Sequence, residues 1–307
     1  MTPLVSIFLN NLLPIFLSAS TGFVLGRALK PDLKTVSRLT FYIFSPCLVF
    51  TSVAHTELTG SEFGKLALFT LLVNGAMLLV VTSVGLALRL ERHWLAALVV
   101  AAVFVNGGNY GLAVNQFAFG DDALSRAVVY YVFSTLLVYT VGVMTASLGK
   151  QSLMQALRQG LTLPSTYALF VAGLFRLTGW VIPMPLDRTV TLLGQAAIPV
   201  MLVVLGLQMA ELKREAWPRA RLGLIGVAVF LQLIVAPLLG LGFATLLGLT
   251  GAARQAMVLE TGMPTAVITT ILAVEYDLDA AFITGTVLAS TLLSPLTLTP
   301  LIAYLLR

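Results

Sequence analysis

The chain has 307 residues, of which 58% are hydrophobic and 10% charged, and it carries a net charge of +5. Soluble domains carry about 25% charged residues. Together with a mean hydropathy of +0.98, this excludes a soluble domain and predicts an all-α protein that crosses the bilayer many times. The positive balance is then a topological signal in short loops, and no nucleic-acid partner is expected. The single cysteine, Cys47, excludes an internal disulfide framework or cysteine metal site, and neither a cofactor nor a metal is expected. His55 and His93 fall far apart at loop edges and read as interfacial side chains.

A spanning helix needs about 20 mainly apolar residues. Charged and turn-rich breaks divide the chain into ten such segments, at about 4–27, 36–55, 64–88, 94–118, 123–147, 163–180, 189–210, 220–247, 253–274 and 280–306. The first charged residue is Arg27, so the first segment is expected to be a span rather than a cleaved leader. Pro46 and Pro199 interrupt the second and seventh spans at an offset of 153 and read as symmetric kinks. The sixth segment is short, and "TGWVIPMP" ends it before Asp187. Gln195, Gln208, Asn74 and Gln232 are isolated polar residues within spans and read as interhelical hydrogen-bonding groups. Asp121, Asp122, Glu275, Asp277 and Asp279 follow the fourth and ninth spans. They resemble helix caps more than a metal cluster.

Loops after odd-numbered spans hold 12 Lys and Arg residues, Lys213, Arg214, Arg219 and Arg221 among them, and the other side holds 6. Odd loops are therefore expected in the cytoplasm and both termini outside. Residues 1–150 and 163–307 form two sets of five spans, joined by a polar cytoplasmic linker over 151–162. The sets look alike. "STLL" at Ser134–Leu137 recurs at Ser290–Leu293, "TEL" at Thr56–Leu58 matches "AEL" at Ala210–Leu212, Thr35–Val36 matches Thr189–Val190, and Leu13–Pro14 matches Leu163–Pro164. The offsets are 156, 154, 154 and 150. Five is odd, so the second copy enters the membrane from the opposite side. The result is an inverted repeat, a construction common in secondary transporters.

"VNGGNYGLAVN" (Val105–Asn115) places Asn106, Gly107, Gly108, Asn109 and Gly111 inside the fourth span, where such poor helix formers predict a break. An offset of 155 carries Gly107 to Gly262, inside "ETGMPTAV" (Glu260–Val267), where Pro264 interrupts the ninth span. Unwound backbone is tolerated in a membrane only where it is buried in protein or lines a wet cavity. Two breaks related by pseudo-symmetry are expected to cross, each offering a half-helix N-terminus to an anion. The candidate substrate-binding residues are Asn106, Gly107, Gly108, Asn109, Tyr110 and Gly111 in the first break, and Thr261, Gly262, Met263, Pro264 and Thr265 in the second. Glu260 is the acidic residue placed well inside a span. Carboxylates there are costly and mark function, so Glu260 is the candidate for proton coupling. The alternatives for it are an ion pair with Arg254 or a position nearer the interface.

"NGGNYGLAVNQFAFG" (Asn106–Gly120) and "GMPTAVITTILAVEYDLDAAFITGTVLAS" (Gly262–Ser290, with its Glu275–Tyr276 pair) resemble the auxin efflux carrier family, which contains the plant auxin carriers and bacterial malate permeases. The likeness covers the whole chain. It implies a fold like the sodium–bile acid symporters and sodium–proton antiporters. Spans 1, 2, 6 and 7 would form a scaffold, expected to be a homodimer, and spans 3–5 and 8–10 a mobile core that moves in an elevator-like manner. By position it picks out Asn106, Asn109 and Pro264. The chain departs from plant members at Gly108, where they carry a nearby proline, and in having Glu260. The expected activity is transport of a small organic anion, malate-like or auxin-like, across a bacterial inner (plasma) membrane, with a proton or sodium as coupling ion. A cation exchanger on the same fold and a passive channel stay open. An enzyme is not expected, because no nucleophile–base or paired-acid constellation lies at membrane depth.

Overall fold

A backbone inside a bilayer must pair its own polar groups, which favours helices. The computed structural model describes residues 3–56, 58–212 and 219–307. Among these, all regular structure is helical apart from one isolated β-bridge. In chain order the helices are α1 (Leu4–Ala28), α2 (Leu33–Ala54), α3 (Gly60–Ala87), α4 (Arg92–Val103), α5 (Leu112–Phe119), α6 (Asp121–Ala146), α7 (Leu153–Leu161), α8 (Pro164–Thr178), α9 (Met184–Glu211), α10 (Arg221–Leu246), α11 (Gly251–Thr261), α12 (Ile268–Glu275) and α13 (Ala280–Leu305). Seven of them (α1, α2, α3, α6, α9, α10 and α13) are long and apolar enough to cross a membrane. The predicted fourth and ninth spans are each two short helices, α4–α5 and α11–α12, separated by non-helical backbone. The predicted sixth span is the 15-residue α8, which Gly179 ends in the left-handed conformation at φ 68°. The polar linker is largely the helix α7. Glu57 of the repeat match, and Lys213 and Arg214 of the charge count, lie outside the described residues.

Pro46 does not interrupt its helix. A wide π turn over Thr40–Phe44 ends two residues before Pro46, and α2 continues through it. The same spacing recurs at Phe8–Leu12 before Pro14 and at Leu231–Val235 before Pro237. Proline lacks an N–H and its ring crowds the carbonyl four residues earlier. A π turn shifts the local hydrogen-bond ladder and relieves both defects without ending the helix. At Pro199 the adjustment is a single turn residue, Ala196, between two helical stretches of α9.

Two groups of helices are tied together by their side chains. In one, α1 and α9 touch backbone to backbone. A Cβ at Gly206 would overlap the Ala19 carbonyl oxygen and Phe23 N, and one at Gly22 would overlap the Val203 carbonyl. Small residues permit this approach between membrane helices. Phe50 of α2 meets Phe175 of α8 edge-on at 5.9 Å. His55 Nε2, at the end of α2, lies 2.7 Å from Asp187 Oδ1 of α9. In the other group, Arg126 of α6 pairs with Glu62 of α3 at 2.8 Å, and Arg221 of α10 pairs with Asp279 at 2.8 Å. Asp279 also caps α13, accepting from Phe282 N at 2.8 Å. Asp121 and Asp122, expected as caps, instead sit within the first turn of α6, behind Gly120. Gln195, expected to bond between helices, is exposed on α9, whereas Asn74 does bond between helices, to the Tyr130 side chain of α6, besides donating to the Thr70 carbonyl of its own helix at 2.9 Å.

The α1–α9 contact predicts a specific weakness. Gly206→Leu forces atoms onto the backbone of Ala19, which no rotamer change relieves. It should destabilise the protein by about 1–3 kcal/mol or more, read as a lowered unfolding midpoint in detergent. Gly242→Ala, where a Cβ meets nothing within 4 Å, should leave the midpoint nearly unchanged.

Candidate functional site

The two breaks meet inside the protein. Val105 and Thr265 form an antiparallel bridge. Asn106 N donates to the Pro264 carbonyl at 2.8 Å, and Ala266 N to the Phe104 carbonyl at 2.9 Å. Neighbouring side chains serve other freed groups. Ser290 Oγ of α13 accepts from Thr265 N at 3.1 Å, Thr265 Oγ1 donates to the Ala101 carbonyl at 2.8 Å, and Gln232 Nε2 of α10 donates to the Met263 carbonyl at 3.1 Å. Gln232 thus fills the interhelical role its isolated position suggested. Each break is the principal hydrogen-bonding partner of the other, which is why non-helical backbone survives among buried apolar helices.

Past the crossing, each chain restarts a helix. The π turn Gly107–Gly111 leads into α5, and its first closing bond runs from Gly111 N to the Asn106 carbonyl at 3.0 Å. The amides of residues 107–110 precede that bond and are the opening donors of the helix. In α12 the first such bonds are Thr269 N to Ala266 O at 3.1 Å and Thr270 N to Val267 O at 3.0 Å, so Val267 and Ile268 precede them. Both ends carry the partial positive charge of a helix N-terminus.

A cavity of about 1120 Å³ reaches these two ends. Asn106, Gly107, Gly108 and Asn109 line it from the first break, and Ala266, Val267 and Ile268 from the second. Its walls include Ser45 of α2, Tyr131 and Ser134 of α6, Gln208 of α9 and Thr284 of α13. Lys34 and Arg38 of α2, with Asp32, Glu211 and Glu275, mark its opening at the ends of α2, α9 and α12. Asn109 Nδ2 donates to Gln208 Oε1 at 3.3 Å, and Ser45 Oγ lies 3.0 Å from the Tyr131 hydroxyl.

The remaining expected residues lie elsewhere. Tyr110 points away from the cavity, with its hydroxyl 3.2 Å from Ser294 Oγ and its ring edge-on to Phe16. Gly111 backs onto Glu260. Thr261, Gly262, Met263, Pro264 and Thr265 are buried and do not line the cavity. The crossing itself uses Pro264 and Thr265, so the second break reaches the cavity through the residues just after them.

Glu260 lies directly behind the first break and is fully buried at 0% exposure. Asn115 Nδ2 donates to its Oε1 at 2.9 Å, and Oε2 has no hydrogen-bond partner. Arg254, the suggested ion-pair partner, instead donates to the Tyr304 hydroxyl at 3.3 Å. Asn115 was missed as a candidate. Its signal was present, an amide four residues after Gly111 on the same helical face. Nothing in the sequence pairs Ser45 with Tyr131.

The contact between Glu260 and the break is tight. A Cβ on Gly111 would sit 2.6 Å from Oε1 and 2.5 Å from Oε2, and one on Gly107 2.7 Å from Oε2. Gly111→Ala should therefore destabilise the protein by about 1–3 kcal/mol. The Gly111→Ala/Glu260→Ala double variant should recover part of that loss as a coupling energy, measured by unfolding midpoints of the single and double variants.

The family described as "Membrane transport protein" matches the chain over residues 2–155 and 144–302. An uncharacterised transporter of Methanothermobacter thermautotrophicus is 27% identical over 274 residues, which cover 88% of each chain. One from Methanocaldococcus jannaschii is 22% identical over 281 residues, covering 88% of this chain and 89% of the relative. A protein named "Putative malonate transporter" from Rhizobium meliloti is 27% identical over 315 residues, covering 96% of this chain and 94% of the relative. With crossed, broken helices at the end of a cavity in a many-helix membrane protein, and with these matches from end to end, the chain belongs to the membrane transport protein family, the auxin efflux carrier family.

Proposed function

We propose that this protein is a secondary transporter of small organic anions, mono- or dicarboxylates, working by alternating access. The observation that carries the reading is the pair of half-helix N-termini opening into one cavity. A carboxylate bound there meets several undercommitted amides and two positive dipole ends of about half a charge each. The Asn106 and Asn109 side chains stand beside them. The name of the Rhizobium meliloti relative, a malonate transporter, favours the dicarboxylate class.

In this reading α4–α5, α8 and α11–α12 complete ten spans with the seven long helices, in two inverted repeats. The offset of 155 that relates the breaks, and their antiparallel crossing, support the repeat. Spans 1, 2, 6 and 7 form a scaffold and spans 3–5 and 8–10 a core that moves against it. The ion pairs among the described residues support that division, because each lies within one group: His55–Asp187 in the scaffold, and Arg126–Glu62, Arg126–Asp122 and Arg221–Asp279 in the core. With basic loops in the cytoplasm, the cavity opens inward and both termini face outward, in the inner membrane of a cell. The scaffold is the proposed face of a homodimer. Glu260 is the proposed coupling group. Its carboxylate and a bound anion would face the same thin layer of backbone from opposite sides, and a proton or sodium ion taken up with the substrate removes that repulsion.

Uptake of labelled malonate and malate into proteoliposomes tests the proposal. The protein should give saturable accumulation above the external concentration under a pH gradient or a sodium gradient. Asn109→Ala should lower uptake efficiency about tenfold, the loss expected for one hydrogen bond to a charged group. Glu260→Gln should uncouple accumulation from the driving gradient. Uptake that neither saturates nor exceeds equilibrium would mean a channel, and a gradient that still drives Glu260→Gln would remove Glu260 from the coupling step.

A further inference from the structure

We propose that Gln208 is a positioning residue that latches the unloaded carrier, so that the protein works preferentially as an exchanger. This rests on the transport reading above and deepens it. Among the described residues, side-chain hydrogen bonds cross beside the cavity from the proposed scaffold to the proposed core at two places: Asn109–Gln208, and the Tyr131 hydroxyl, which meets Ser45 and Ser165. The first joins the anion end of the broken helix to α9. Helix α9 is itself fixed to α1 by the glycine contacts at Gly22 and Gly206. Any slide of the first break along α9 must therefore break the Asn109–Gln208 bond.

The chemistry of that bond is the reason to single it out. Gln208 Oε1 offers Asn109 Nδ2 an sp² oxygen, which is what a substrate carboxylate would offer the same amide. In the empty site the scaffold supplies this oxygen itself. The bond is 3.3 Å long, beyond the roughly 2.7–3.2 Å of a well-formed N–H···O contact. A carboxylate makes a shorter, charge-assisted bond and so displaces Gln208. Binding then replaces the tie that holds core to scaffold, and the loaded core moves without losing a hydrogen bond. An empty core has to give that bond up without replacement. Loaded movement is faster than empty return, and a carrier with that asymmetry exchanges one anion for another more readily than it carries out net transport.

The Ser45–Tyr131 bond supplies an internal comparison. It crosses the same interface but joins two hydroxyls, with no amide donor facing the anion end. Its loss should speed loaded and empty movement alike.

The test compares, in proteoliposomes, initial uptake of labelled malonate into empty vesicles with uptake into vesicles preloaded with unlabelled malonate. The wild-type protein should show faster uptake in the preloaded vesicles. Gln208→Leu, similar in size but unable to accept a hydrogen bond, should lower the preloaded-to-empty ratio about twofold, the factor that the low end of the range for one hydrogen bond supplies. Ser45→Ala should leave the ratio near the wild-type value. The latch is overturned if the wild-type ratio is one, if Gln208→Leu does not change it, if Ser45→Ala lowers it equally, or if Gln208→Leu depresses both rates together. A wild-type protein that moves no acid at all overturns both the transport reading and the latch. An active wild-type protein whose ratio ignores Gln208 overturns the latch alone.

Discussion

Backbone groups removed from water must find partners, and in this protein one short antiparallel contact meets that demand where two helices stop. The reciprocal bonds of Asn106 to Pro264 and of Ala266 to Phe104 join segments some 160 residues apart in the sequence. Ser290, Gln232 and the Thr265 hydroxyl complete the pairing from three directions. Neither break can exist without the other, because each would leave polar groups bare among Val, Ala and Leu side chains. The site is therefore a property of the whole chain, built only when both halves have folded against one another.

The same economy governs charge. Among the described residues, no lysine or arginine lies at the inner end of the cavity, where a fixed cation would bind an anion and hold it. Dipoles and amides attract more weakly and at short range, a better match to a carrier that must also release. The carboxylate of Glu260 sits on the far side of Gly107 and Gly111, and only glycine lets it approach so closely. The first break is thus a thin sheet of backbone, with a cavity on one face and a buried acid on the other.

Much of this was legible in the sequence, for physical reasons that also explain the gaps. Length and apolarity fix where helices can span, and seven of the ten predicted segments are helices long and apolar enough to cross a membrane, while the other three fall on shorter helices. Asparagines and glycines among valines marked the first break, and Pro264 the second. What the sequence could not supply was direction. Tyr110 lies one residue beyond Asn109, yet it faces the core while Asn109 faces the cavity, because the π turn sets its own side-chain registry. Pro264 and Thr265 were natural candidates for the site, but the crossing uses them, and their neighbours Ala266–Ile268, with nothing distinctive in their side chains, provide the open amides. Pairs such as Ser45 with Tyr131, or Arg126 with Glu62, depend on how separate helices dock, which local composition does not encode.

The π turns ahead of Pro14, Pro46 and Pro237 carry one more implication. Each accommodates about one residue beyond what a regular helix would use over the same rise, and an extra residue turns everything after it by about 100° about the helix axis. The stripe of side chains that faces a neighbour at one end of α1, α2 or α10 is consequently not the stripe that faces it at the other. A single rod can then present one surface to one partner and a different surface, half a membrane away, to the next. An uninterrupted helix of the same length would need a bend or a supercoil to do that.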